Sequence, residues 1–246
     1  MNIDHPIPSQ IPQLRHLWKE AFGDSDEALD AFFTTAYASE RCMCITDGSA
    51  LAAAAYWFHC RQYAYIYAVA TAKSHRGQGL CHQLMDAIHA LLAEEGYAGA
   101  IVVPGEESLR SFYKGMGYGD FGGIRIFTCA AGEEPLPIWQ VDATEFAALR
   151  REFLPAGAVV QENENLAYLQ TYTQFYAGSD FLLTAMRADE QLQGFELLGN
   201  VDAAPGILTA LGAQSGTFRT IGTRPFAMYY PLGEKNPPTY LGFAFD

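Results

Sequence analysis

Apolar positions along the first half of the chain recur with two periods, and the period changes where glycine and proline fall. Ile11, Leu14, Leu17, Trp18 and Ala21 form one stripe at helical spacing, with Ser9 placed to cap it and Gly23 to end it. Asp24 or Ser25 starts a second helix that carries Leu29, Phe32, Phe33 and Ala36. Residues 41–46 and 51–60 then read as two strands of a hairpin, with Asp47-Gly48 as the turn signal between them. Tyr63, Tyr65 and Tyr67 alternate with Ala64, Ile66 and Ala68, the period of a strand. After Gly77 and Gly79 the spacing returns to helical, through Leu80, Leu84, Ala87, Ile88 and Leu91. A short strand at 100–103 leads to a helix within 106–118, which has acids in its first turn, Leu109, Phe112 and Met116 on one side, and a glycine stop.

Strands are expected through Phe121 and over 124–129, and small, acidic and proline residues at 131–137 read as a linker. Beyond it the α/β rhythm repeats. Helices are expected at 144–153, 166–176 and 206–211, and strands at 181–186 and 192–198. The last residues, 240–245, read as a strand-like run. The expected organisation is therefore a mixed α/β fold with a first domain at 1–130, a linker at 131–137 and a second α/β domain at 138–246.

The most informative stretch runs from Val69 to Cys81, where an apolar strand meets a basic, glycine-rich turn and then an amphipathic helix. A helix start leaves its first backbone N–H groups without intrahelical partners and carries partial positive charge, so it attracts phosphate. Gly77 and Gly79 permit a tight turn and close ligand approach, and Arg76 adds a permanent charge. A P-loop is excluded because Leu80 and Cys81 follow Gly79 in place of Lys-Ser/Thr. A dinucleotide fingerprint is excluded because His82 stands where its third glycine belongs. A plain strand-to-helix turn is the remaining alternative reading of the two glycines.

With those loops excluded, residues 76–81 resemble motif A of the GNAT superfamily of acyl-CoA-dependent N-acyltransferases, Gln/Arg-x-x-Gly-x-Gly/Ala. Arg76 takes the first place, Gly79 the fourth, and Cys81 replaces the final small residue; Val69-Ala70-Thr71 matches the strand end that precedes the motif. The resemblance implies that Val69, Ala70 and Thr71 meet the pantetheine arm of acetyl-CoA. It implies that Arg76, Gly77, Gln78, Gly79, Leu80 and Cys81 hold the pyrophosphate. Residues 106–118 are similar to the family's motif B, with Glu106 in the place of a common asparagine and Tyr118 in that of the last aromatic. Tyr113 then corresponds to the residue that protonates the departing thiolate, and a phenol stays protonated near neutral pH. Its alternative role is to pack the helix on the sheet, which is the reading given to Phe112. The two first helices imply walls of an acceptor site between Trp18 and Tyr37. The second half, which has Asn200 to Pro205 where a phosphate loop would stand, resembles a degenerate second GNAT-like domain or is an unrelated cap.

The resemblance implies an enzyme that transfers an acetyl group from acetyl-CoA to a primary amine of a small molecule or peptide. A non-catalytic acyl-CoA sensor or scaffold is the alternative, since the strand at 63–71 contains no acid or histidine to serve as base. Other base candidates are His59, Glu106 and, by resemblance to a group of long acetyltransferases, the carboxylate of Asp246.

Composition narrows the partners. A net charge of −13 argues against nucleic acid and favours a cationic amine, although acidity for solubility alone gives the same balance. No apolar run reaches the ~20 residues of a membrane span, and Met1 to Pro6 lacks the pattern of a signal peptide, so a cytoplasmic location is expected. Cys42, Cys44, Cys60, Cys81 and Cys129 include no CxxC pair and read as reduced. His82, Asp86 and His89 share one helix face, which is expected to be solvated rather than to hold a metal.

Overall fold

The structure, a computed structural model, describes residues 1–245; the reading placed on Asp246 lies outside the described residues. Two compact units divide the chain, Met1–Gly119 with Met228–Pro237, and Asp120–Ala227 with Pro238–Asp246. The expected boundary at 130 therefore shifts: residues 120–130 go to the second unit and 228–237 return to the first. The reason is long-range strand pairing, which composition does not reveal.

In the first unit, strand β1 (Asn2–Asp4) precedes helices α1 (Ile11–Phe22) and α2 (Asp26–Thr35). Ser9 does not cap α1 but sits in a 3-10 turn, Pro8–Gln10, that feeds directly into it; Gly23 closes the helix in the left-handed conformation, φ +78°. Ser25 caps α2, its Oγ accepting from the Ala28 N–H at 3.3 Å. Strands β2 (Cys42–Asp47), β3 (Ala50–Cys60) and β4 (Tyr63–Thr71) form an antiparallel meander. Helix α3 (Leu80–Glu94) crosses over to β5 (Gly99–Val102), which runs parallel to β4, and α4 (Glu107–Gly115) follows.

Alternation along β3 and β4 sorts two cores onto opposite faces. Ala53, Ala55, Trp57, Ala64 and Ile66 pack with Leu80, Leu84, Met85, Ile88 and Leu92 of α3, and the small alanines give the helix close access to the sheet. Tyr56, Phe58 and Tyr67 turn the other way and join Phe32 in an aromatic layer; Trp18 of α1 lies 4.7 Å from Phe32 and 5.1 Å from Tyr56, its ring tilted by 49° and 50° to theirs. The sixth strand comes from far along the chain, as Met228 to Pro231 of β12 (Arg224–Pro231) pair antiparallel with Val102 to Gly99.

The second unit opens with β6 (Gly119–Ala130), one continuous strand where two were expected, then β7 (Trp139–Val141). Helices α5 (Ala143–Phe153) and α6 (Glu164–Leu169) precede the antiparallel strands β8 (Gln174–Ala177), β9 (Phe181–Ala188) and β10 (Gln191–Gly199). The helix expected at 166–176 thus ends early, and its last residues pair as a strand. Helix α7 (Ala204–Ala210) crosses to β11 (Ser215–Ile221), parallel to β10 and antiparallel to β6. Segment 131–137 has no helix or strand and is pinned by Gly132 N–H to Pro205 O and Leu136 N–H to Gly206 O.

Residues 241–245 are buried but are not a strand. Side chains hold them in place of a ladder: Gln161 donates to Phe243 O and accepts from Phe243 N, both at 2.9 Å. Arg150 and Glu196, 2 % and 1 % exposed, form a bidentate pair at 2.6 and 2.9 Å, and Tyr240 donates to Glu196 at 3.0 Å. Gly242 passes so close that a Cβ there meets Glu196 Oε1 at 1.7 Å.

Candidate active site

The parallel pairing of β4 with β5 covers only Tyr63 to Tyr65. Beyond it β4 carries a bulge: Tyr67 pairs with Tyr56 and Ala70 with Ala54, so two residues, Ala68 and Val69, face one on β3. Ala68 adopts φ +50°, an unusual value for a residue with a Cβ. Among the described residues the β4–β5 ladder ends at Tyr65 while the β3–β4 ladder runs on to Thr71, which leaves the β5-side edge at Val69 to Thr71 for an extended ligand to pair with.

The strand ends in a braced loop. Ala72 N–H donates to Ala52 O at 2.9 Å, His75 N–H to Ala72 O at 2.8 Å, and Lys73 N–H to Glu20 Oε1 at 3.1 Å. Arg76 folds back, its Nε donating to Thr71 O at 3.1 Å, so its charge is held beside the strand end. Gly77 and Gly79 both have φ +75°, and Gly79 is the N-cap of α3 without a capping side chain. Gln83 N–H, bonded to Gly79 O at 3.2 Å, is the first to find an intrahelical partner. The N–H groups of Leu80, Cys81 and His82 point out of the helix start, as an anion requires.

A cleft of about 530 Å3 opens at this point, and its walls include Val69, Ala70, Thr71, Arg76, Gly77, Gly79, Leu80 and Cys81. Of the residues expected to bind acetyl-CoA, only Gln78 is outside the lining. Phe22, Leu109 and Phe112, all partly exposed, supply apolar surface, and His75 and His82 supply further polar groups. Cys81 is partly buried, and burial pushes its thiol up to about 11, so it is a neutral wall group.

Phe112, expected only to pack, faces the cleft, and Tyr113 is buried beside it. Phe112 is 36 % exposed and lines the cleft, whereas Tyr113 is 8 % exposed and packs in the core behind Cys81. The strong amphipathicity of α4 explains this, because only Tyr113 among its residues is buried. Burial, with the Cys81 thiol adding to it, pushes the Tyr113 phenol well above its ordinary value, so it is a donor at any working pH.

The helix face with His82, Asp86 and His89 is not uniformly solvated. His82 and Asp86 are exposed, but His89 is 6 % exposed and hydrogen-bonds Tyr118. Among the described residues no group of three His, Cys, Asp or Glu side chains is placed to hold a metal. Of the base candidates, His59 bonds the Tyr97 hydroxyl at 2.8 Å, and Glu106 stands at the N-cap of α4, accepting from Ser108 Oγ at 3.2 Å. Neither is in the cleft wall. All five cysteines are free thiols, and no helix among the described residues is long and apolar enough to cross a membrane.

A bulged strand, a glycine-capped helix start and a cleft between them form a site suited to an extended anionic ligand, and comparison supplies the family. Residues 2–121 match the family described as acetyltransferase (GNAT) domain, and the chain is a member of the GNAT superfamily through this half. Solved structures extend the likeness in fold to nearly the whole chain. A GCN5-related N-acetyltransferase from Kribbella flavida superposes with a TM-score of 0.71 at 18% identity, covering 94% of this chain and 71% of that one. One from Anabaena variabilis gives 0.71 at 14% identity, covering 94% and 72%. One from Sphaerobacter thermophilus gives 0.56 at 12% identity, covering 99% and 98%. A search of curated protein sequences gave no match. The fold is thus that of proteins that transfer acyl groups from acyl-CoA.

Proposed function

We propose that the protein is an N-acetyltransferase that takes the acetyl group of acetyl-CoA and passes it directly to a primary amine. The observation that carries this reading is the single cleft that gathers the open edge of β4, the Gly77–Gly79 turn and the start of α3. The amides at the start of α3 and the Arg76 charge hold the pyrophosphate. The backbone of Val69 and Thr71 pairs with the pantetheine amides. Acetyl-CoA supplies an acyl group already activated as a thioester. The amine nitrogen bonds to the acyl carbon as the carbon–sulfur bond breaks, and the proton shed by nitrogen balances the charge left on sulfur. Fixing the two reactants together removes an entropic barrier worth up to ~7–11 kcal/mol.

Tyr113 serves the departing sulfur. Its raised pKa lies above that of an ordinary thiol, ~8.5, so full proton transfer to the thiolate is uphill. The role the phenol fits best is a hydrogen-bond donor that stabilises the thiolate as it forms. The aromatic layer of Trp18, Phe33, Tyr37 and Tyr67 under α1 and α2 is the acceptor wall, and its electron-rich ring faces favour a cationic amine.

Thermal melting with acetyl-CoA and with CoA, followed by thiol release against polyamines, aminoglycosides and N-terminal peptides, tests the reading. Stabilisation by both ligands together with release on an amine supports it. Stabilisation without release on any of these acceptors favours the sensor, which keeps the cleft and lacks the base.

A further inference from the structure

His89 is a buried imidazole that acyl transfer, as described above, leaves without a task. It sits on the sheet-facing side of α3, and its Nε2 is 2.7 Å from the Tyr118 hydroxyl. Tyr230 of β12 lies flat on the ring, centroids 3.9 Å apart and planes 7° apart. Burial lowers the His89 pKa to about 4 against a smaller opposing effect of Asp86, so the ring is neutral in the fold near neutral pH.

Tyr118 is the link from this pair to the cleft. Its ring meets that of Tyr113 edge-on at 5.5 Å, and its N–H donates to Tyr113 O at 3.1 Å, closing the end of α4. Only 3 % of Tyr118 is exposed, and among the described residues its hydroxyl hydrogen-bonds His89 alone. An apolar residue at 89 fills space equally well but leaves that hydroxyl unsatisfied, and the tyrosine ring then turns to find a partner. The same helix therefore offers its first turn to the pyrophosphate and, two and a half turns on, fixes the aromatic packing behind the phenol.

We propose that His89 is a positioning residue for Tyr113: by anchoring the Tyr118 hydroxyl it holds the ring against which the Tyr113 phenol is aimed at the thioester sulfur. This rests on the reading of Tyr113 as donor to that sulfur.

The test uses CoA itself and needs no acceptor. The affinity of CoA is measured by calorimetry from pH 6.5 to 10, with desulfo-CoA as the reference that cancels every contribution except that of the sulfur. The pair of curves gives the thiol pKa in the complex, which a well-aimed donor lowers. Tyr113→Phe is expected to raise it by about one unit, a tenfold change in thiolate affinity. His89→Leu is expected to raise it by a comparable amount while desulfo-CoA binding is kept, and His89→Gln, which still reaches the hydroxyl, to restore most of the shift. Tyr118→Phe removes the anchored hydroxyl with little change in packing and reproduces His89→Leu should that variant fail to fold. In Tyr113→Phe, adding His89→Leu is expected to do nothing more.

An unshifted thiol pKa in both His89→Leu and Tyr118→Phe overturns the inference, as does a His89→Leu shift that adds in full to that of Tyr113→Phe. CoA binding with no effect of Tyr113→Phe removes the donor reading, and this inference with it. No binding of CoA or desulfo-CoA to the unaltered protein removes the cleft assignment itself.

Discussion

The two units are built to one plan, and they differ in what lies beyond the bulged strand, which is an open cleft in the first and buried side chains in the second. In the first, a short strand, two helices and an antiparallel meander lead through α3 to a parallel strand; in the second, β7, α5, α6, β8, β9, β10, α7 and β11 repeat that order. The bulge is repeated as well. On β10, Gly194 pairs with Ala185 and Glu196 with Thr184, so Phe195 is the extra residue, just where parallel pairing with β11 ends. What differs is what fills the space beyond the bulge. In the first unit it is Val69 to Thr71, a braced turn and a helix of 15 residues. In the second it is Glu196, clamped by Arg150 and covered by Tyr240 and Gly242, and the crossover helix has 7 residues after a turn that contains Asp202. Among the described residues no helix follows β11, so nothing there corresponds to α4 and Tyr113. Shared topology creates the opening, and side chains decide whether it receives a ligand or is plugged.

The largest effect is expected from making the first turn resemble the second. Gly79→Glu adds a carboxylate at the proposed phosphate site and a Cβ at φ +75°, where no neighbour blocks it but the backbone itself is strained. Acetyl-CoA affinity by calorimetry should fall by about three orders of magnitude, roughly 4 kcal/mol. The unaltered chain should bind one acetyl-CoA, and a second site of similar affinity breaks the contrast between the units.

The plug of the second unit is tested through its charges. Arg150→Ala leaves Glu196 buried and uncompensated, and urea unfolding should show a loss of about 3–5 kcal/mol. Replacing both partners, Arg150→Met with Glu196→Leu, should cost much less, because the desolvation penalty leaves with the pair. The first unit differs again, since its buried titrating group, His89, has no charged partner in hydrogen-bond contact. Its folded pKa of about 4 lies below the ordinary 6.5, so between those values the unfolded chain binds the extra proton and stability falls as pH falls. Roughly 2–3 kcal/mol should be lost from pH 7 to 4, less in His89→Gln, when urea unfolding is followed across that range. A comparable acid loss in His89→Gln assigns the slope to other groups.

How far the sequence reveals this contrast depends on the range of the interactions involved. The turn from Arg76 to Cys81 is legible because its chemistry is local: glycines at positive φ, a basic residue and a helical stripe are all written within about ten residues. The helices and hairpins follow for the same reason. The exchange of β6 and β12 between the units is not legible, because both strands are apolar and their partners, β11 and β5, are set by pairing across more than 80 residues. The tail at 240–245 reads as a strand because its residues alternate, yet its backbone partners are the side-chain amide of Gln161 and the N–H of Val159, which donates to Tyr240 O. Phe112 and Tyr113 are neighbours, and a rotation of one helical position decides which faces the cleft. A signal for His89 is present, since it lies four residues after Met85 and three before Leu92 and so shares their apolar helix face.

Tyr113→Phe probes the element that the second unit lacks altogether. Turnover should fall about 10- to 100-fold, 1.4–2.7 kcal/mol in the barrier, with the affinity for acetyl-CoA within about twofold. A fall in affinity with unchanged turnover places Tyr113 in packing alone.

The smallest effect separates the two bulges. Ala68 has φ +50°, whereas Phe195 in the corresponding bulge has an ordinary negative φ. Glycine in a strand costs about 0.5–1 kcal/mol relative to alanine, mostly through the entropy of the unfolded chain, and relief of left-handed strain returns about 1–2 kcal/mol. Ala68→Gly should therefore leave stability unchanged or raise it slightly in urea unfolding. Ala64→Gly, buried on the same strand with an ordinary backbone, should lower it by about 1 kcal/mol. Equal losses in the two variants mean that Ala68 carries no strain, and the β4 bulge is then held open by the same pairing alone that shapes its counterpart on β10. Unequal losses mean that the first unit stores strain at the bulge that precedes the cleft-lining end of β4.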